Sequence, residues 1–132
     1  MASAVLLGLA YFNADGQNLI GYSDIEIRKF MRENHKEMIC NDVRNTMYKY
    51  LKYSDENESQ TLFFFLNDDS VCRNIRLVCD RSLREKKLKE LDSAYKKNGV
   101  NRWIDRRDGK KYIVELKDEK WAFTVTYSRN NK

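Results

Sequence analysis

The sequence has no proline, five glycines, three cysteines and one histidine in 132 residues. Without proline and with so little glycine, it has neither a collagen repeat nor a linker of the usual composition. Cys40, Cys72 and Cys79 are too few, and odd in number, for a disulfide framework. They read as reduced core residues, the usage of an intracellular protein, cytoplasmic or nuclear. No stretch reaches the roughly 18 apolar residues of a membrane helix, so no membrane partner is expected. The apolar run from Ala4 to Phe12 lacks a Lys/Arg n-region and a small-x-small cleavage site. It therefore reads as a buried strand or helix rather than a signal peptide. There is no Gly-x-Ser-x-Gly, Walker or dinucleotide loop. Catalysis, cofactors, bound metal and a small-molecule substrate are accordingly not expected.

What is present fits one ordinary domain spanning residues 1–132, with 42% apolar and 34% charged residues and no internal repeat. The net charge of +5 hides an asymmetry. Residues 1–22 carry −1, 23–53 carry +2, 54–70 carry −5 and 71–132 carry +9. A basic C-terminal half points to a polyanion or an acidic partner.

Asp15-Gly16 between apolar runs marks residues 3–22 as a hairpin, or as a short helix and loop. Ser23 and Glu26 have capping-box spacing, and Ile27, Phe30 and Met31 follow helical spacing, which predicts a helix over 24–34. Asn41 or Asp42 can cap a second helix over about 41–53, with Val43, Met47, Tyr50 and Leu51 as its buried stripe. Thr61–Leu66 is continuously apolar and reads as a central strand. Val71, Cys72, Ile75, Val78 and Cys79 fit a third helical face. Leu83, Leu88, Leu91, Ala94 and Tyr95 fit a fourth, with Lys96 and Lys97 in its last turn and Asn98-Gly99 closing it.

Asp108-Gly109 is a two-residue hairpin signal that pairs Trp103 with Val114 and Ile104 with Ile113. A second turn at 117–120 pairs Leu116 with Trp121, Val114 with Phe123 and Tyr112 with Val125. Together they collect Trp103, Tyr112, Val114, Leu116, Trp121, Phe123 and Val125 on one buried face. The expected fold is α+β: about four helices over 23–98, then a three-stranded antiparallel meander over 101–128.

Arg44, Asn45, Tyr48, Lys49 and Lys52 would lie on the outward side of the helix over 41–53. Arg and Asn can read base edges, and Lys neutralises phosphates. Arg106, Arg107, Lys110 and Lys111 would form a basic hairpin tip. A capped helix, a second helix and a basic hairpin resemble the winged-helix arrangement, which implies non-catalytic binding of DNA or RNA. The gap between the helices is longer than the usual turn, and two further helices intervene before the hairpin.

The alternative function is a protein-interaction module, such as an adaptor subunit, an immunity protein or a viral accessory factor. It would use the acidic 54–70 segment against the basic half, toward a protein partner or in self-association. Asp105 with Glu115-Leu116-Lys117 looks like the metal-binding pattern of restriction-endonuclease-like nucleases. The hairpin register, however, sets Asp105 and Glu115 on opposite faces. His35, Cys40, Cys72 and Cys79 have the residue types of a zinc site but not its tight spacing.

Overall fold

The structure, a computed structural model, describes residues 18–41 and 49–130. Of the hairpin-or-helix expected over 3–22, residues 3–17 lie outside them and residues 18–22 form neither strand nor helix; Arg44, Asn45 and Tyr48 also lie outside them. The described residues form two α-helices, α1 (Asp24–Asn34) and α2 (Arg84–Ala94). The strands are β1 (Ile39–Asn41), β2 (Lys49–Ser54), β3 (Gln60–Leu66), β4 (Cys72–Asp80), β5 (Lys96–Lys97), β6 (Arg102–Arg107), β7 (Lys110–Asp118) and β8 (Ala122–Arg129). All eight belong to one antiparallel sheet in the order β1-β2-β3-β4-β8-β7-β6-β5. Two meanders thus meet along a seam between β4 and β8. No helix among the described residues is long and apolar enough to cross a membrane.

This corrects the expected four helices followed by a three-stranded meander, and with it the winged-helix arrangement. Where a helix was expected over 41–53, residues 49–54 form a strand. Its Leu51 and Tyr53 are buried and alternate with less buried neighbours. The helix expected over 71–79 is also a strand. A bulge between Phe65 and Leu66 places Leu66 opposite Cys72 and Phe65 opposite Asn74, so Arg73 is the extra residue. The bulge turns a two-residue step into a three-residue one. Buried Cys72 is followed by buried Ile75, then by Leu77 and Cys79. The step from Cys72 to Ile75 imitates a helical face, and the true alternation resumes only after it. Lys96 and Lys97 are a strand pairing with β6, not the last turn of α2.

Where the local signals were specific, they are obeyed. The Ser23 hydroxyl accepts from the Glu26 backbone N–H at 3.2 Å, and the Glu26 carboxylate accepts from the Ser23 N–H at 2.9 Å. These bonds from Ser23 hold the Glu26 carboxyl below its ordinary pKa. Asp108 and Gly109 both have positive φ, 53° and 74°, as a type I′ turn needs. Trp103 faces Val114 and Ile104 faces Ile113, as expected.

The second turn is displaced. β7 continues to Asp118, which faces Phe123, so Leu116 pairs with Val125 and Val114 with Tyr127. A slip of four residues preserves parity, and Phe123 and Val125 stay buried. Trp121 falls in the turn instead of the strand and is 79% exposed, with Tyr127 taking its expected place in the core.

The sheet has two distinct faces. Its inner face carries Leu51, Tyr53, Leu62, Phe64, Ile75, Leu77, Trp103, Val114, Phe123, Val125 and Tyr127. Together with Ile27 and Met31 of α1 and Leu91 of α2, they make one core cluster. Both helices therefore cover this face.

Candidate nucleic-acid interface

Strand alternation sends the remaining side chains to the outer face. In β2 these are Tyr50 and Lys52, and in β3 Phe63 and Phe65. The register carries one row across six strands: Lys52, Phe63, Arg76, Thr126, Glu115 and Arg102. At the usual strand separation, that row spans about 24 Å. Beside it lie Tyr50, Phe65 and Asn74 at one end, and Ser128, Ile113, Ile104 and Lys96 at the other, where Ile104 and Ile113 are buried, so the accessible aromatic surface is at the β2–β3 end.

Tyr50, Phe63 and Phe65 touch one another but lie outside the core cluster. The Phe63 and Phe65 rings are 6.0 Å apart and 13° from parallel. Tyr50 meets Phe63 at 5.9 Å, and the Lys52 ammonium lies 5.9 Å from the centre of the Phe63 ring. All three rings are half-buried, so part of their surface remains open to solvent. Around them the face is cationic, with Lys52, Arg76, Lys96, Arg102, Arg106, Lys111 and Lys117 on it. Against them stand Glu115, 3.5 Å from Arg102, and Asp80 at the end of β4.

The residues expected to bind are thereby redistributed. Lys52, Arg106 and Lys111 share this outer face, and Lys110 is exposed beside them at the hairpin end. Lys49 is exposed at the start of β2, where its ammonium donates to the Ser70 hydroxyl at 2.8 Å. Arg107 points inward. Its guanidinium donates to the carbonyls of Asn18 and Ile20 at 2.7 and 2.6 Å and lies over the Tyr112 ring.

Sequence reading missed Tyr50, Phe63, Phe65 and Arg76. The signal was there in Thr61–Leu66. An aromatic run without polar alternation can mean two covered faces, or one covered face and one that binds. The acidic 54–70 segment is not one loop. β3 runs through it and separates Asp55, Glu56 and Glu58 from Asp68 and Asp69. Asp55 is tied up in its own turn, accepting from the Ser59 hydroxyl and the Gln60 N–H.

The nuclease-like pattern is not assembled. Asp105 lies across from Tyr112 and accepts from the Asn18 amide at 2.9 Å, whereas Glu115 projects from the outer face. Among the described residues, no three His, Cys, Asp or Glu side chains are placed to hold a metal ion.

Cys72 and Cys79 are buried on β4, and Cys40 is half-buried on β1. Burial pushes the Cys72 thiol up to about 12, only partly offset by its bond to the Asn74 carbonyl. Native protein treated with iodoacetamide near pH 8 should therefore be alkylated at Cys40 alone. Peptide mass mapping showing Cys72 modified before unfolding would contradict this packing.

No protein-family model matches the chain, and no curated protein or solved structure resembles it significantly.

Proposed function

We propose that the protein binds single-stranded nucleic acid on the outer face of its sheet, without catalysis. The carrying observation is the cluster of Tyr50, Phe63 and Phe65 outside the core, on a face dominated by Lys and Arg. Aromatic rings on an open sheet offer stacking surfaces to unpaired bases, while flanking cations neutralise the backbone. A sheet face presents no helix to a major groove, so a single strand suits it better than a duplex.

Fluorescence anisotropy with a labelled single-stranded oligonucleotide and its duplex tests this reading. The single strand should bind more tightly. Its affinity should fall with salt, with a slope of about −0.7 for each phosphate neutralised. Lys52→Glu/Arg76→Glu should weaken binding and flatten that slope. Absence of binding in low salt, or equal preference for duplex, would count against the proposal.

One observation favours a second reading, recognition of a protein strand. Among the described residues β1 forms an edge of the sheet, and its Ile39 is 58% exposed there. An open edge with an apolar side chain can accept an added strand.

A further inference from the structure

Among the described residues, four large apolar side chains are strongly exposed: Ile25, Ile39, Val100 and Trp121. Scattered singly, such residues need no explanation. Three of them gather at one end of the sheet: Ile39 starts β1, Val100 precedes β6, and Trp121 lies between β7 and β8. The segments outside the described residues join the fold at the opposite end, after Asn41, before Lys49, after Asn130 and before Asn18. There Gly21 donates to the Cys72 carbonyl at the start of β4. We infer that the end carrying Val100 and Trp121 docks on the surface of an anionic lipid bilayer.

Both residues are held outward by ordered turns. Val100 is the middle of three residues in a loop closed by the Asn98 N–H, which donates to the Arg102 carbonyl at 2.8 Å. Its neighbours Gly99 and Asn101 have positive φ, 107° and 55°, and Val100 is 90% exposed. In the next turn the Glu119 N–H donates to the Ala122 carbonyl at 2.8 Å, and the Arg81 guanidinium donates to the Lys120 carbonyl at 3.3 Å. The Asn101 carbonyl accepts from the Leu116 N–H, which sets the two turns side by side, about 10 Å apart at the usual strand separation. Two projecting turns suit a soft surface that moulds around them. A rigid partner would need a matching hollow for each.

The chemistry fits a headgroup layer. Indole combines an apolar body with one polar N–H, which concentrates tryptophan at the membrane interface. The Lys120 ammonium lies 5.2 Å from the centre of the Trp121 ring, and its long stem lets it reach lipid phosphates while the ring enters. The surrounding segments 80–86, 96–102 and 117–121 carry a net charge of +4. Of their carboxylates, Asp118 is held by the Arg84 guanidinium at 2.8 and 3.0 Å. The acidic turn at 55–58 shares this end but lies three strands away, and the usual twist of about 20–25° per strand turns it aside. The expectation of no membrane partner rested on the lack of a spanning helix, and surface docking needs none.

The two tryptophans make the test direct, because Trp103 is buried and Trp121 is exposed. The full chain is titrated with phosphatidylcholine vesicles made with and without phosphatidylserine. With the anionic vesicles, tryptophan emission should shift to the blue and quenching by acrylamide should fall. With phosphatidylcholine alone, both should stay near the values of the free protein. Cosedimentation gives the affinity, which Trp121→Ala should weaken about tenfold and Lys120→Glu about fivefold or more. Trp121→Ala should keep its circular dichroism and its affinity for a single-stranded oligonucleotide.

No blue shift with anionic vesicles, or an equal shift with phosphatidylcholine alone, would overturn the proposal. Equal cosedimentation of the parent chain and Trp121→Ala would overturn it too, because charge alone would then hold the protein to the vesicles. Self-association without lipid that is lost in Trp121→Ala, read by analytical ultracentrifugation, would assign this end to a second copy of the chain instead.

Discussion

Trp103→Ala is expected to destabilise the protein by about 3–5 kcal/mol, against about 0.5 kcal/mol or less for Trp121→Ala. The chain has only these two tryptophans, and they lie at opposite extremes of exposure, 0% for Trp103 and 79% for Trp121. Trp103 sits in the core, its indole N–H donating to the Asp92 carboxylate at 2.8 Å. Removing the ring opens a cavity between β6 and α2 and leaves that carboxylate without its donor. Trp121 lies in the exposed turn, with the Lys120 ammonium 5.2 Å from the centre of its ring. Urea unfolding followed by circular dichroism would read both values. Equal losses for the two variants would mean that the register of β7 against β8 is wrong.

Phe63→Leu/Phe65→Leu should lower affinity for a single-stranded oligonucleotide by roughly 100-fold or more. Each base stacked on an aromatic ring contributes about 1–3 kcal/mol, and this change removes two rings while keeping apolar bulk on β3. The inner-face residues Leu62 and Phe64 are untouched, so the fold should persist. The effect should be nearly independent of salt, because no charge is altered. That separates it from Lys52→Glu/Arg76→Glu, whose loss should shrink as salt rises. Unchanged affinity in the leucine variant would remove stacking from the proposed mode.

How far the sequence could be read depended on how local its signals were. Ser23 with Glu26, and Asp108 with Gly109, are contacts between near neighbours, and both produced the structure expected of them. The strands β2 and β4 were read as helices because their pairing partners lie elsewhere in the chain. In β4, the bulge at Arg73 replaced one two-residue step by a step of three. In β2, the neighbouring Tyr50 and Leu51 supplied an apparent helical stripe although they face opposite sides of a sheet. The proposed interface was less legible still. Tyr50, Phe63 and Arg76 come from three strands and become neighbours only through register. Of the nine residues first expected to bind, Lys52, Arg106 and Lys111 came to the same face. They did so through alternation in strands rather than as a helix and a hairpin tip.

The seam between β4 and β8 has a consequence for how the chain reaches its fold. Ile75 and Tyr127 face each other across that seam, yet they lie far apart in sequence. The first meander therefore emerges during synthesis before its partner, and β8, the last of these eight strands in chain order, is the one that pairs with β4. Such non-local pairing is slow, because the loop must close before the contact stabilises it. Until β8 docks, β4 offers unpaired backbone groups to any other nascent copy. Chains cut short before Ala122 should consequently be captured by chaperones or aggregate, even though every residue of the first meander is present.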